Sequence, residues 1–225
     1  MMNEEIKNYY DDLADSYDTN RFENSYGKFI DKQERIFLSQ HLPPVSTHNI
    51  LDLGCGTGRF IEFANNGVDI SPKMIAIASK KNPHIEIKEG SVTNIPYPDN
   101  YFDTIFSLHV IMHLNKETTH SFLIEAANKT KTKGNLIFDF PSAKRRNLVN
   151  YKAHNWHAAN QFSIDDILSM AEKHWTVKQT AGILFLPIHR FPSCIRPLFV
   201  KIDQLLCNSF LKEYASYLII NLEKK

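Results

Sequence analysis

The sequence predicts an α/β fold, a mostly parallel sheet of seven strands with helices on both faces and an antiparallel last strand. Three observations predict it. Short apolar runs alternate with helical stretches between residues 49 and 140, the rhythm of strand–helix–strand crossovers that lay strands parallel. The first of those runs, residues 49–53, ends directly in a glycine-rich loop, which places a polar-ligand site at the carboxyl edge of the sheet. Two later strand-like runs, 176–183 and 215–222, lack the regular helix between them and read as an antiparallel edge.

Taken in order, the first forty residues are helical with polar breaks. Phe29, Ile30, Ile36, Phe37 and Leu38 recur at helical spacing, and Pro43-Pro44 ends that segment. Strands are expected at 49–53, 67–70, 85–88, 103–108 and 135–140. A short helix is expected over 59–64. A second, over 72–81, has Ser71 as N-cap and Pro72 at its first position. A third, near 117–129, carries Phe122, Leu123, Ala126 and Ala127 on one face. Ser163 and Asp166 form a variant capping box opening a helix to about residue 173.

Composition narrows the function classes. The 225 residues fit one domain, and the formal net charge is +1, which is not the basic footprint of a nucleic-acid binder. The one concentrated basic run, Lys144-Arg145-Arg146, reads as a solvated loop. Three widely spaced cysteines make neither a disulfide framework nor a zinc pattern and suit a reducing cytoplasm. The acidic, polar N-terminus is not a signal peptide. The apolar runs fall short of a membrane span, so no stable membrane insertion is expected. A monomer or a homodimer both remain open.

The loop Gly54-Cys55-Gly56-Thr57-Gly58 lets the backbone bend sharply and a ligand approach closely. A dinucleotide fingerprint would place its third glycine at position 59, which is Arg59. Asp52, two residues before the loop, suits the ammonium group of S-adenosylmethionine (SAM). Asp69 stands where an acid on the second strand would grip ribose hydroxyls. Taken singly, Asp52 reads equally as a backbone cap and Asp69 as a helix opener.

Residues 51–60 (Leu51 to Phe60), 68–74 (Val68 to Met74), 90–103 (Gly90 to Asp103) and 107–114 (Ser107 to Leu114) resemble, in order, the motifs of the class I SAM-dependent methyltransferases of the type 11 small-molecule kind. The likeness covers residues 9–140 strongly and the remainder loosely. It implies a Rossmann-like fold, SAM as cofactor and S-adenosylhomocysteine as product. It implies that Asp52, Gly54, Cys55, Gly56 and Gly58 hold the methionine part, Asp69 the ribose, and Ile70 one face of the adenine. Met74 would cover the other face or serve as helix core. Ser91 and Val92 would read the adenine amino group, and Ser107 would lie along the methionine. An N-terminal helical lid is implied over residues 1–45, with Tyr17 closing over the cofactor and Arg21 on its carboxylate. For Tyr9 and Tyr10, helix packing is preferred for one of the two. The SAM-binding core would then be 46–140, and 141–225 an acceptor-side region with an insertion at 185–214. Only ten residues separate Gly58 from Asp69, so the first crossover is short.

Methyl transfer to a hydroxyl or ammonium needs a base as well as alignment. His109 and His113 sit just past the fourth strand and titrate near neutrality. Some relatives carry Glu-x-x-Glu-His here and bind a divalent metal; His109, Met112 and His113 replace those positions, so no metal is expected. A second cluster, His154, Trp156 and His157, offers a ring for stacking and further bases, or a surface loop pinned by one Trp. The expected function is methyl transfer to an oxygen or nitrogen of a small-molecule acceptor such as a sugar, glycan precursor or natural product. A non-catalytic SAM-binding regulatory module, a quinone-type C-methyltransferase and a dehydrogenase are the alternatives.

Overall fold

A computed structural model describes residues 2–153 and 159–225. Seven strands form one sheet in the order β3-β2-β1-β4-β5-β7-β6. They are β1 (Ile50–Leu53), β2 (Asn66–Asp69), β3 (Glu86–Glu89), β4 (Phe102–Ser107), β5 (Thr130–Pro141), β6 (Trp175–Ile183) and β7 (Tyr217–Lys224). Strands β1 to β5 pair parallel, and β7 runs antiparallel to both its neighbours. This is the Rossmann-like arrangement the alternation predicts.

Period-two side-chain alternation splits the apolar residues of the central strands between two cores. Leu51, Leu53, Ile105 and Phe138 join Phe122 and Leu123 of α5 (Lys116–Lys129) and Ile167 of α7 (Ile164–Ala171). Ile50, Phe106, Ile137 and Ile219 join Phe29, Ile30, Phe37 and Leu38 of α3 (Ser25–His41). Both faces of the sheet are therefore dry, and the strands read as apolar runs rather than alternating ones.

Local chemistry sets the helix ends. Asn24 caps α3 by accepting from Tyr26 N and Gly27 N. Ser71 caps α4 (Pro72–Lys81) through Met74 N. Asn115 caps α5, and the Ser163–Asp166 box opens α7. Before α3 lie α1 (Met2–Leu13) and α2 (Tyr17–Arg21). Short α6 (Ala143–Leu148) follows β5, and α8 (Val200–Cys207) lies in the insertion between β6 and β7.

The helix expected over 59–64 is only a 3-10 turn, Ile61–Phe63. The reason is length. Strand β2 starts at Asn66, and the Asn65 side chain is already committed, accepting from Ile50 N at 2.8 Å and donating to His48 O at 2.9 Å. Strand β5 begins at Thr130 rather than near 135, because the chain passes from the end of α5 straight into the sheet, with an irregularity opposite Phe102 and Thr104. Among the described residues, no helix is long and apolar enough to cross a membrane.

Candidate active site

The carboxyl ends of β1, β2 and β4 open into a cavity of about 730 Å³ including its mouth. Its floor is the glycine loop. Gly54, Gly56 and Gly58 have φ of 81°, 54° and 83°, values an L side chain rarely adopts. The three glycines divide the work. A Cβ on Gly54 would come within 2.4 Å of Val110, and one on Gly58 would press Ala78 of α4 at 3.3 Å. A Cβ on Gly56 would meet nothing within 4 Å, so this glycine faces open space where a ligand can come close to the backbone.

Asp69 ends β2 and ties the loop to the next helix. Its carboxylate accepts from Gly56 N at 2.7 Å and from Ser71 N at 2.9 Å. Burial still pushes its pKa up, against those backbone donors. Ile70, Met74, Ser91 and Val92 continue the wall from Asp69. Asp52 lies outside the lining, on the face of β1 that α3 covers. It is buried, one of its oxygens has no hydrogen bond, and burial raises its pKa to about 8.

The N-terminal helices close the cavity with Ile6, Tyr10 and Tyr17. Asp11 accepts from Ser71 Oγ at 2.5 Å, Asp18 accepts from Thr57 Oγ1 at 2.5 Å, and Lys81 pairs with Asp18. The Tyr10 hydroxyl meets His113 Nε2 at 2.7 Å. Burial holds the Tyr10 phenol well above its usual pKa, so it keeps its proton at neutral pH. His113 is buried on the 3-10 turn Ile111–His113 that follows β4.

His109 sits in a separate box of charge. Its φ is +62°, and its backbone N–H donates to Asp139 Oδ1 at 2.6 Å. Its Nε2 contacts Glu34 Oε1 at 2.5 Å, and its Nδ1 lies 3.9 Å from Asp139 Oδ2. Arg59 completes the box, 2.8 Å from Glu34 Oε2 and stacked between the rings of Phe22 and Phe60 at 3.9 and 3.8 Å. Burial alone would raise the Glu34 pKa, but His109 and Arg59 outweigh it and bring it to about 2. Burial raises Asp139 to about 6, with His109 opposing. Burial works to lower the His109 pKa, but Glu34 and Asp139 carry it above its ordinary value. Glu34, His109 and Asp139 bring donor atoms within 4.8 Å of one another, a spacing that can hold a metal ion. Arg59 supplies a fixed positive charge at the same carboxylate.

Of the residues expected from sequence, the cavity lining contains Tyr17, Gly54, Gly56, Asp69, Ile70, Met74, Ser91, Val92, His109 and His113. Arg21, Asp52, Cys55, Gly58 and Ser107 are not in the lining. Arg21 is exposed and donates to Tyr9 Oη at 3.4 Å. Cys55 is buried against Gly67, and Ser107 donates to Leu53 O at 2.7 Å. His154, Trp156 and His157 lie outside the described residues. Nearby, Asn160 N donates to Met112 O at 3.3 Å, in the turn that carries His113. The sequence reading did not single out Glu34 or Asp139. One signal was available for Glu34, which shares with Gln33 the otherwise apolar stripe of α3.

The site suits SAM on its own geometry. It has an open backbone approach at Gly56, a buried acid, Asp69, at the end of β2, and apolar walls that suit a purine. Residues 51–138 match the family described as a methyltransferase domain. Over 141 residues the chain is 30% identical to the demethylmenaquinone methyltransferase of Tropheryma whipplei, an alignment covering 59% of this chain and 57% of that protein. The chain thus spans little more than half the length of that relative. A SAM-dependent methyltransferase from Thermotoga maritima superposes with a TM-score of 0.66 at 21% identity, covering 88% of this chain and 90% of the other. The magnesium protoporphyrin IX methyltransferase of Synechocystis PCC 6803, solved with bound SAM, gives 0.64 at 15% identity over 100% and 98%. Residues 51–138 are thus similar to the methyltransferase domain family, and the chain shares its fold with these SAM-dependent methyltransferases.

Proposed function

We propose that this chain transfers a methyl group from SAM to an oxygen or nitrogen of a small-molecule acceptor. One observation carries the reading. A single cavity joins the open glycine loop and Asp69 to two histidines under a tyrosine lid. When bound, SAM supplies an electrophilic methyl group and leaves as S-adenosylhomocysteine. Asp69 would hold the ribose, Gly54 and Gly56 the methionine part, and Ile70, Met74 and Val92 the adenine.

The chain's own groups divide between positioning and proton handling. His109 stands between two carboxylates with its pKa raised. Held by these carboxylates, it positions the turn after β4 rather than serving as the base. His113 is the base in this reading. Tyr10 stays a neutral phenol whose oxygen accepts from His113 Nε2–H in this reading, and Nδ1 of the same ring takes the acceptor proton. Ile6, Leu108, Val110 and Leu114 line the rest of the cavity and keep water from the reacting atoms.

A second reading is favoured by the demethylmenaquinone methyltransferase relative and by those apolar walls, namely transfer to a ring carbon of a quinone. Turnover to S-adenosylhomocysteine against alcohols, amines and reduced quinones separates the two. Calorimetry with SAM and with NAD tests the cofactor. SAM binding without turnover on any acceptor would favour a regulatory module, and binding of NAD alone would overturn the assignment.

A further inference from the structure

The acceptor-side half of the chain carries a face that the methyl-transfer reading does not use. Twelve large hydrophobic residues are exposed among the described ones, and eight of them lie between residues 148 and 214 outside the sheet. The most exposed are Phe210 at 91%, Leu198 and Leu205 at 74%, and Leu148 at 62%. Leu198, Ile202 and Leu205 fall at i, i+4 and i+7, which sets them along one side of α8 and the turn before it. The opposite side of α8 is buried through Val200, Asp203 and Cys207. A helix apolar on its outer side as well as its inner one is not built to face water alone.

The elements bearing these residues are continuous. Helix α6 touches the 3-10 turn Lys212–Tyr214, that turn touches α8, and α8 touches the 3-10 turn Arg196–Phe199. The strip starts at Ser142, three residues beyond Asp139 of the His109 box.

Charge follows the same strip. Residues 141–153 and 185–214 contain eight Lys and Arg against two Asp and Glu, in a chain whose formal net charge is +1. One of the two acids, Asp203, is buried and accepts from the Phe185 and Leu186 backbone N–H groups. The other, Glu213, is paired with Lys144. Lys152, Arg190 and Lys201 are exposed. The rest of the molecule is correspondingly acidic.

We infer that this face docks on an anionic phospholipid surface, with Leu198, Leu205 and Phe210 entering the headgroup boundary and the exposed Lys152, Arg190 and Lys201 meeting lipid phosphates. Exposed apolar tips with Lys201 on the same side of α8 match both properties of such a surface. A second copy of the chain would set like charge against like. A nucleic acid would leave the aliphatic tips without a partner.

The test is sedimentation of the full-length chain with extruded vesicles of phosphatidylcholine alone or mixed with phosphatidylglycerol. Binding is expected with the mixed vesicles and not with phosphatidylcholine alone, and it falls as NaCl rises from 0.1 to 0.5 M. Leu198→Asp with Leu205→Asp and Phe210→Asp weakens binding at least about tenfold. Lys201→Glu weakens it about fivefold or more. SAM affinity in each variant reports that the fold is intact. A wild-type chain that stays in the supernatant with both vesicles overturns the inference, as does a triple variant that binds equally well. A dimer in analytical ultracentrifugation that the same three substitutions dissociate assigns the face to a second copy and also overturns it.

Discussion

Replacing Glu34 with Gln removes one charge from the box around His109 while keeping the shape of the side chain. The Glu34 pKa is about 2 against an ordinary 4.5, in a side chain with no solvent exposure. That depression corresponds to about 3 kcal/mol of stability at neutral pH. A depressed carboxyl stabilises the fold above its unfolded pKa, and that stability is lost as pH falls through the folded value. The contribution is therefore complete at pH 7.5 and about half gone near pH 3. Removing one partner of a buried pair commonly costs about 3–5 kcal/mol. The lower end applies here, because Arg59 keeps Asp31 at 3.1 Å and His109 keeps Asp139. Urea unfolding of wild type and Glu34→Gln at pH 7.5, 5 and 3 measures the difference. The variant should lose about 3 kcal/mol at pH 7.5, and the gap should narrow at pH 3. The His109 pKa, followed by NMR, should fall in the variant, because Glu34 is the largest influence raising it. Equal urea midpoints at pH 7.5, or a gap independent of pH, would refute the charge-box reasoning.

Other variants test the remaining parts of the site. Gly56→Val should abolish measurable SAM binding in calorimetry, since it fills the open approach. It should cost only about 1–2 kcal/mol of stability from its positive φ. Asp69→Ala should weaken SAM at least about tenfold through lost ribose hydrogen bonds, while His113→Ala should bind SAM like wild type. In turnover with a reactive acceptor, His113→Ala should lower kcat about a hundredfold or more. Tyr10→Phe should lower it less, about tenfold, with little change in KM for SAM. If His113→Ala keeps full activity, the base has been assigned to the wrong residue.

The glycine-loop wall of the cavity was legible because its determinants are local, whereas Arg21, Asp52, Cys55, Gly58 and Ser107, expected from the resemblance, lie outside the lining. Three glycines, an acid on the following strand and a Ser-Pro helix start lie within about twenty residues, and each has a backbone reason that spacing alone exposes. The sheet was legible for the same reason, since both of its faces are covered and every central strand is an apolar run. The helix expected over 59–64 failed where local propensity met a length limit, with strand β2 beginning at Asn66. The charge box was not legible. Glu34, Arg59, His109 and Asp139 come from four segments spread over more than a hundred residues, and only the fold brings them together. Tyr10 was half legible. Its helix was foreseen, and its hydrogen bond to His113, 103 positions away, was not.

Tyr10 belongs at once to the cover over the cavity and to the partner set of His113. The same cover is latched by Asp11 to Ser71 and by Asp18 to Thr57 and Lys81. Lifting it to exchange ligands therefore separates His113 from the hydroxyl that orients it in the same movement. The arrangement is an interlock. If His113 is the base, as proposed, its contact with Tyr10 exists only while the chamber is shut, which couples closure over the ligand to the arrangement of the proton acceptor.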